Sequence, residues 1–504
     1  MDTIKKKTNE NGTNKGLNKT NSLEEFYAGR GILVTGATGF VGIGLLVKLM
    51  RVCPRIAAIY ILIRPKTNET IEQRFKKIMD DPIYDGIKAK NPSLFSRVYP
   101  VKGDVSMPNL GLSREVRNLL LEKVNIVFHV AATVRFNEPL HVAVNENTKS
   151  IARVIELWNE LRHPISFVHV STAYSNANLH EIEEKVYTTS LSPSEVIDVC
   201  DKFNKTTINE MEKIILKTYP NTYTFSKNLA EQIVANKCKD LPVAIVRPSI
   251  IGASLEEPCP GWIQNVSALT GILLLVCRGC ATVIRGRKDA RLDLVPLDFV
   301  VDTIICTAWH VTLHAEHEVK VYNCTSNANP VRWGQLHQLV LKYSREMPLN
   351  DTLWYPGCPM VANKYIFNVL SVIPYALLAF LIDIFLRLRG SKPIMMKLLK
   401  NGIKIFTSVA FVTTHEWTFQ RDNCSVLARK VKMLNDSDIV KLDLEDMDWD
   451  KYIGIYLMGI RKFILKQDFK STARLRLSRL YWIHQITKIS GIIILSWIIL
   501  CFVY

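Results

Sequence analysis

Short runs of apolar residues alternate with segments of helical periodicity between Gly31 and about Arg247. The runs are apolar on both faces, which is typical of strands buried in a parallel sheet with helices on either side. After the first run, apolar residues recur three and four positions apart, as on one face of a helix. The pattern predicts a doubly wound α/β sheet. We expect its strands at 32–35, 59–63, 98–101, 126–130, 165–170 and 243–246.

Beyond Asp302 the pattern becomes less regular and more helical, and it contains two strongly apolar stretches. The last one, 489–504, has 16 residues and would form a helix of about 24 Å, against a hydrocarbon core of about 30 Å. We expect it to be a short membrane anchor, reaching spanning length when extended back to 480. Basic residues before it place the folded part on the cytosolic side. The other stretch, 367–386, carries Pro374 and Asp383, which favour an amphipathic or hairpin membrane contact over a second span.

The net charge of +17 suits nucleic acid, anionic lipid or a phosphate-bearing cofactor. No zinc finger, RNA-recognition motif or basic recognition helix is evident, so nucleic acid is not expected. The eleven cysteines are scattered through apolar contexts, which fits buried reduced thiols. The CxxC pair, Cys277 and Cys280, has no second pair or histidine cluster beside it, so we expect no metal site.

A glycine-rich turn follows the first predicted strand and opens a helix. Gly36 allows the tight turn, Gly39 lets a pyrophosphate approach the backbone, and Gly42 lets the helix pack on the strand. The helix N-terminus would add amide donors and a positive dipole. This context predicts a dinucleotide-binding Rossmann sheet. The expected cofactor contacts here are Thr35, Gly36, Thr38, Gly39, Phe40 and Val41.

The end of the second strand indicates which dinucleotide binds. An NAD enzyme would present Asp or Glu there for the ribose hydroxyls, whereas this chain presents Arg64 and then Lys66. A guanidinium can bind the 2′-phosphate with two hydrogen bonds, and no carboxylate is placed there to repel it, so NADPH is favoured. After the third strand we expect Asp104 and Val105 to meet the adenine. After the fourth, the small side chains of Ala131 and Ala132 would let the ribose and diphosphate lie close.

A YxxxK pair, Tyr223 and Lys227, places a phenol and an ammonium on one helix face. Tyr84 and Lys88 share that spacing by accident, so position matters more than spacing. The first pair follows a strand that ends at the hydroxyl-bearing segment 171–174. A hydroxyl there could hydrogen-bond a substrate carbonyl while the phenol supplies a proton. Lys227 would lower the phenol pKa and hold the nicotinamide ribose.

At these residues the chain resembles the extended short-chain dehydrogenase/reductases and, more narrowly, the eukaryotic fatty acyl-CoA reductases. The resemblance runs from Gly31 to about Gln467, essentially the whole folded chain. One departure from the family pattern is Ser150, where related enzymes often carry Gly. The sequence blocks that carry the resemblance are YILIRPK at 60–66, FHVAATV at 128–134, HVSTAYSN at 169–176, RPSI at 247–250, EPCPGW at 257–262, VPLD at 295–298, TTHEW at 413–417 and DWD at 448–450.

The resemblance implies that NADPH reduces a long-chain acyl-CoA twice, through a bound aldehyde, to the alcohol with release of coenzyme A. It implies Thr172 as the hydroxyl partner, with Ser171 as the second choice, and Pro248 as a further cofactor contact. The apolar segment 268–276 either lines the acyl cavity or forms a plain core helix. A sterol or nucleotide-sugar oxidoreductase, and a non-catalytic membrane protein that retains the fold, are the alternative functions.

The expected organisation has a mostly helical C-terminal region after the sheet. We expect the membrane to be that of the endoplasmic reticulum or the peroxisome, with the catalytic part facing the cytosol. The expected partners are the acyl-CoA and membrane lipid, and the sequence leaves the oligomeric state open. The parts are a disordered tail at 1–22, an NADPH-binding reductase domain at 23–333, a fatty acyl-CoA reductase-type C-terminal domain at 334–470 and an anchor at 480–504.

Overall fold

The computed structural model describes residues 21–266, 268–281, 283–313, 318–397 and 410–503. Almost all of the tail predicted at 1–22 therefore lies outside the described residues, as does the last residue of the predicted anchor. Residues 21 and 22 lead into a short helix whose first turn is capped by Asp436, with amide-to-carboxylate distances of 3.0 Å. The beginning of the described chain is thus tied to its C-terminal half.

The central sheet has seven parallel strands in the order β7-β6-β5-β4-β1-β2-β3. All six predicted strands are confirmed. The strands are β1 (Gly31–Thr35), β2 (Ala58–Ile63), β3 (Val98–Lys102), β4 (Ile126–His129), β5 (Ser166–Val170), β6 (Val243–Pro248) and β7 (Lys320–Cys324). Sequence analysis missed β7, because it is short and carries Lys320 and Asn323, so it does not form a continuous apolar run.

Alternate residues of each strand serve two cores, one on either face of the sheet. Ile32 and Val34 belong to the core covered by α2 and α11, whereas Leu33 belongs to the core covered by α6 and α9. This explains why the strands are apolar on both faces. Besides a single helical turn at Leu140–Ala143, the helices of the first part are α1 (Leu23–Tyr27), α2 (Phe40–Val52), α3 (Ile71–Met79), α4 (Asp85–Lys90), α5 (Arg114–Lys123), α6 (Ser150–Glu160), α7 (Pro193–Lys202), α8 (Lys205–Leu216), α9 (Thr222–Lys237), α10 (Ala268–Cys277) and α11 (Leu297–His310).

The rest of the chain is mostly helical and is tied to the first part by short strands. Thr418–Phe419 pairs with Glu181–Ile182, and Met360–Val361 pairs with Ile284–Arg285. The indole of Trp417 donates a hydrogen bond to the carbonyl of Ala177 at 3.1 Å. The helices are α12 (Trp333–Glu346), α13 (Ile373–Leu388), α14 (Asp422–Val431), α15 (Trp449–Gly459) and α16 (Ser471–Val503).

Both predicted apolar stretches lie in helices. The stretch 367–386 falls in a helical run that begins at Lys364–Phe367, passes through a π-helical turn at Asn368–Val372 and continues as α13. The C-terminal stretch belongs to α16, which starts earlier than the predicted anchor. Among the described residues, no helix combines the length and the apolar character that a membrane crossing requires.

Candidate active site

The glycine turn between β1 and α2 packs against the loop after β4 with no room for side chains. Gly36 has a φ of +74°, and a Cβ there would lie 2.6 Å from the amide nitrogen of Ala131. A Cβ on Gly42 would lie 2.2 Å from the carbonyl oxygen of Gly36. Gly39 is the N-cap of α2 and offers no side-chain cap. The first amides of α2 are therefore free of side-chain partners, as an anion site at a helix N-terminus requires.

A cavity of about 1210 Å³ opens at this turn and runs along the carboxyl ends of the central strands. Most of the predicted site residues line it, although they come from six separate segments of the chain. These are Gly36, Thr38, Gly39, Phe40, Val41, Arg64, Lys66, Asp104, Val105, Ala131, Ala132, Thr172 and Tyr223. Three predicted residues, Thr35, Lys227 and Pro248, are buried and are not among the residues that line it.

Thr35 ends β1 beneath the cavity floor. Its side-chain oxygen lies 2.8 Å from Nδ1 of His129 and accepts a hydrogen bond from the amide of Ala131 at 3.3 Å. The side chain is fully buried. Thr35 therefore fixes the position of the loop after β4 rather than facing the cavity.

Charged side chains gather at the end of the cavity beside β2. Arg64 and Lys66 lie there as predicted, and Arg74 on α3 joins them and donates a hydrogen bond to the carbonyl of Arg64. The prediction that no carboxylate lies near Arg64 is wrong, because Glu146 is 3.6 Å from its guanidinium. Arg64 is 59 % exposed and Glu146 is 30 % exposed, so this ion pair is weak and an incoming phosphate could replace it.

Tyr223 and Thr172 occupy the opposite part of the cavity wall. Tyr223 lies in the first turn of α9, which Asn221 caps, and its ring packs 5.7 Å from the ring of Phe136. Burial raises the pKa of Tyr223 to about 12, and a hydrogen bond with Thr172 acts in the opposite direction. The Thr172 hydroxyl also lies 3.5 Å from the Pro248 carbonyl oxygen. Phenol and hydroxyl thus form one polar pair on the wall.

Ser171 and Thr172 face opposite ways, although they are adjacent in the chain. The Ser171 hydroxyl donates to the carboxylate of Glu231 at 2.5 Å. Glu231 also accepts two hydrogen bonds from Arg247, at 2.7 and 2.9 Å, and neither charged side chain is exposed. Sequence analysis assigned no role to this buried pair. The structure therefore puts Thr172, and not Ser171, on the cavity wall.

Lys227 lies one helical turn below Tyr223 and is 1 % exposed. Its ammonium donates to the carbonyl of Val170 at 2.7 Å and lies 3.5 Å from Nε2 of His169. Burial lowers the pKa of Lys227 to about 8, and the carboxylate of Glu231 acts in the opposite direction. Burial has the larger effect on the phenol of Tyr223 and raises its pKa, and the expected lowering by the charge of Lys227 stays a prediction.

Two histidines, His129 and His169, stack beneath the cavity with ring centroids 5.3 Å apart. Burial lowers the pKa of both, that of His129 to about 3, and the charge of Lys227 adds to the effect. Both rings are therefore neutral at ordinary pH. Both residues belong to motif blocks of the sequence, at 128–134 and 169–176, but no role was predicted for either. Nothing in the sequence around a histidine in a strand indicates that Lys227 approaches it.

The remaining wall of the cavity is apolar and comes from distant parts of the chain. Leu269 and Ile272 of α10 line it, together with Trp333, Phe411 and Val412. The two interpretations of 268–276 are both partly right, since α10 also sends side chains into a closed apolar core. The cavity therefore has a charged end, a polar pair and a long apolar surface. In the described part of the chain, no three His, Cys, Asp or Glu side chains converge as metal ligands.

Comparison with known proteins adds an independent line of information. Two family profiles, both described as male sterility protein, match residues 34–304 and 375–467. Fatty acyl-CoA reductase 1 of Mus musculus is 34 % identical over 462 residues, which are 91 % of this chain and 90 % of that protein. Fatty acyl-CoA reductase 2 of Bos taurus is 32 % identical over 478 residues, covering 94 % and 92 %.

Solved structures share the fold at low sequence identity. The terminal R domain of the myxalamid PKS-NRPS pathway superposes with a TM-score of 0.56 at 21 % identity, over 86 % of this chain and 90 % of that one. The reductase domain of a nonribosomal peptide synthetase from Mycobacterium tuberculosis has the same TM-score at 18 % identity, over 86 % and 92 %. These likenesses concern the fold alone.

Proposed function

The chain belongs to the fatty acyl-CoA reductase family, and on that premise we propose that it reduces a long-chain acyl-CoA to the primary alcohol with NADPH. The observation that carries the proposal is one continuous cavity with three kinds of wall. A glycine turn and basic side chains lie at one end, the pair of Tyr223 and Thr172 lies on the wall, and an apolar surface completes it. These suit a dinucleotide phosphate, a carbonyl group and an acyl chain respectively.

The residues around the glycine turn fit a dinucleotide. Side chains at Gly36 and Gly42 would collide with backbone atoms, so the backbone itself forms the cradle for a pyrophosphate. Arg64 and Lys66, with Arg74, provide the positive charge that a 2′-phosphate needs. When bound, NADPH supplies hydride ions to the substrate. We propose these residues as the reason that NADPH is used rather than NADH.

The reaction requires two rounds of hydride addition at one carbon atom. In the first, negative charge grows on the thioester oxygen, Thr172 donates a hydrogen bond to it and Tyr223 supplies a proton. The carbon–sulfur bond of the resulting hemithioacetal then breaks as its hydroxyl proton passes to the sulfur, so coenzyme A leaves as the thiol and an aldehyde remains. In the second round the same two side chains serve the aldehyde oxygen, which ends as the hydroxyl of the alcohol. Each round consumes one hydride and one proton.

The apolar wall has two tasks in this scheme. Leu269, Ile272 and Phe411 would contact the acyl chain, whose burial stabilises the bound substrate by about 0.8 kcal/mol for each CH₂ group. They would also keep water from the aldehyde between the two rounds.

The direct test is an assay on membranes that carry the full chain, supplied with radiolabelled acyl-CoA and either NADPH or NADH. We expect labelled alcohol with NADPH, much less with NADH, and no accumulation of free aldehyde. The matched control is the same chain carrying Tyr223→Phe. If wild-type membranes consume NADPH without forming alcohol, the proposed reaction is wrong.

We further propose that 23–333 acts as the reductase domain, 334–470 as the C-terminal domain, and 480–504 as a membrane anchor of the endoplasmic reticulum or peroxisome. The support for the anchor is the apolar character of α16 after a basic first half, with Ile489, Ile493 and Trp497 exposed. The indole of Trp354 donates to His484 at 3.1 Å, which joins α16 to the body.

A chain ending at Gln467 tests the anchor. We expect it to move partly into the soluble fraction, because the apolar end of α16 would be missing. Complete retention in the pellet after alkaline carbonate washing would place the anchor elsewhere. A full chain with Trp497→Phe is the control, since it keeps the apolar length.

A further inference from the structure

One long segment of the chain begins beside the strand Ile284–Arg285 and returns beside it, and its returning end reaches the wall of the cavity. Met360–Val361 pairs with the strand Ile284–Arg285 just before this segment. After it, the hydroxyl of Thr413 donates to the carbonyl of Arg285 at 2.6 Å. Phe411 and Val412, which line the apolar part of the cavity, belong to the returning end. The segment is therefore rooted where the acyl chain is expected to lie.

The first arm of this segment, α13, exposes an apolar stripe. Leu381, Ile384, Phe385 and Leu388 are spaced three and four residues apart, so they share one face of the helix. They are 55 %, 39 %, 52 % and 81 % exposed. Single exposed apolar side chains are ordinary on a protein surface, whereas a contiguous stripe marks a contact surface. We call these four residues the α13 stripe.

The acidic residue in α13 is satisfied within the same segment. The carboxylate of Asp383 accepts hydrogen bonds from the amides of Ile394, Met395 and Met396 at 3.0, 2.9 and 3.0 Å. The chain turns back at Gly390, where φ is +72°, and residues 395–397 are again helical. Asp383 thus holds the start of this second arm, 394–397, against α13 and closes a hairpin. Its charge needs no water, which removes the main obstacle to contact with lipid.

The charges around the stripe have one sign. Between 364 and 397, Asp383 is the one acidic residue in the sequence, and the basic residues are Lys364, Arg387, Arg389, Lys392 and Lys397. Arg387 lies beside the end of the stripe, and Arg389, Lys392 and Lys397 follow it on either side of the turn at Gly390. The Arg389 guanidinium lies 4.6 Å from the ring centroid of Phe385, so cation and apolar face are adjacent. This arrangement is typical of helices that lie in the headgroup region of anionic membranes.

We propose that this hairpin, residues 373–397, docks on an anionic lipid bilayer and that the acyl chain of the substrate passes from the bilayer into the cavity beside Phe411 and Val412. The α13 stripe enters the acyl region, and the basic turn meets phosphate headgroups. The docking itself is independent of the reaction. The delivery of substrate rests on the proposed function, because it takes the apolar wall to be the acyl site.

Docking can be measured without any enzymatic assay. The full chain carrying Cys501→Ser, which removes the exposed cysteine, receives a nitroxide at Leu381→Cys or Leu388→Cys. It is reconstituted in phosphatidylcholine vesicles that contain phosphatidylserine. The matched control is a nitroxide at Met433→Cys, a residue that is 80 % exposed. The Cys501→Ser chain without an added cysteine gives the baseline.

We expect the nitroxides on the stripe to collide with dissolved oxygen more often, and with a water-soluble nickel chelate less often, than the nitroxide at Met433. Nickel access equal to that of the control would show that the stripe faces water. Shielding from both reagents would show that protein covers it, either another part of this chain or a second molecule. Either of these results overturns the docking, whatever the activity of the enzyme.

Delivery of the substrate is tested by kinetics in the same vesicles. The stripe variant carries Leu381→Gln, Phe385→Gln and Leu388→Gln. The control carries Ile214→Gln and Met433→Gln, two exposed apolar residues on other parts of the surface. For a long-chain acyl-CoA presented in vesicles, we expect the KM of the stripe variant to rise at least about tenfold with an unchanged kcat, because the hairpin no longer contacts the bilayer even though the proposed anchor in α16 remains. The control should match the wild type.

The outcomes separate the two proposals. An unchanged KM in the stripe variant overturns delivery through the bilayer. A stripe variant whose kcat falls about tenfold while its KM is unchanged would also overturn delivery through the bilayer, since that pattern indicates damage to the active site. If even the wild type forms no alcohol, the proposed function fails, whereas the nitroxide measurement still decides the docking.

Discussion

Replacing Tyr223 by phenylalanine removes one oxygen atom from the wall of the cavity and leaves the ring in place. The ring keeps its contact with Phe136. The hydroxyl of Thr172 loses a partner but still lies 3.5 Å from the Pro248 carbonyl. A neutral hydrogen bond contributes about 1 kcal/mol to stability, so the variant should fold and bind NADPH like the wild type.

The effect on turnover should be much larger. Charge that develops on the carbonyl oxygen would have no proton donor, and general acid catalysis typically contributes about 10²- to 10⁴-fold. We expect a loss of at least about a hundredfold in kcat, which corresponds to about 2.7 kcal/mol in the barrier. The assay measures alcohol formed and NADPH consumed together, with NADPH binding followed separately by fluorescence.

Tyr84→Phe is the matched control, because Tyr84 and Lys88 share the YxxxK spacing. Tyr84 is fully buried, and its hydroxyl has no hydrogen-bond partner among the described residues. Removing it should leave stability equal or slightly higher and activity unchanged. Alcohol formation by Tyr223→Phe within about threefold of the wild-type rate would refute the mechanism, since a lost proton donor cannot have so small an effect.

Three further predictions concern charged residues. Arg64→Asp should raise the KM for NADPH by about one to two orders of magnitude, because a charge-assisted contact of about 1.5 to 3 kcal/mol is lost. The kcat/KM for NADH should rise, and unchanged NADPH kinetics would show that Arg64 does not contact the cofactor. Burial lowers the pKa of Lys227 to about 8, so its ammonium loses a proton as the pH rises through that value. We therefore expect kcat/KM to fall above pH 8, and a kcat/KM that stays constant up to pH 10 would contradict a role for the charge of Lys227. Glu231→Gln leaves the buried charge of Arg247 unpaired and should lower the free energy of unfolding by about 3 to 5 kcal/mol; a melting temperature equal to that of the wild type would argue against this.

Features with a local cause could be predicted from the sequence. The six strands follow from apolar runs, and the cradle follows from glycines at positions where a Cβ would meet backbone atoms. Features that arise only when distant segments of the chain meet could not be predicted from the sequence. Nothing near Arg64 in the sequence indicates that Glu146 and Arg74 approach it. Spacing alone also leaves open the choice between Ser171 and Thr172, which Glu231 decides by binding the serine hydroxyl.

Asp383 shows how the partners of a charge escape sequence analysis. In the sequence, a carboxylate inside an apolar stretch counts against a second span and favours an amphipathic or hairpin contact, but its partners are not evident. In the structure three amides from the next arm surround it, so the same residue closes a hairpin. The cost of a charge depends on its partners, and those partners lie 11 to 13 positions further along the chain.

The cavity wall is drawn from both halves of the chain, and this has a consequence for engineering. Contacts expected for the adenosine, its phosphates and the basic end of the cavity come from residues before about 135, and Lys227 and Pro248 are the later ones expected for the cofactor. Trp333, Phe411 and Val412, on the apolar wall, come from further along the chain. Cofactor choice and chain-length choice should therefore be separable traits. Exchanging the later part between two such reductases should transfer the preferred acyl length and leave the coenzyme preference with its original host.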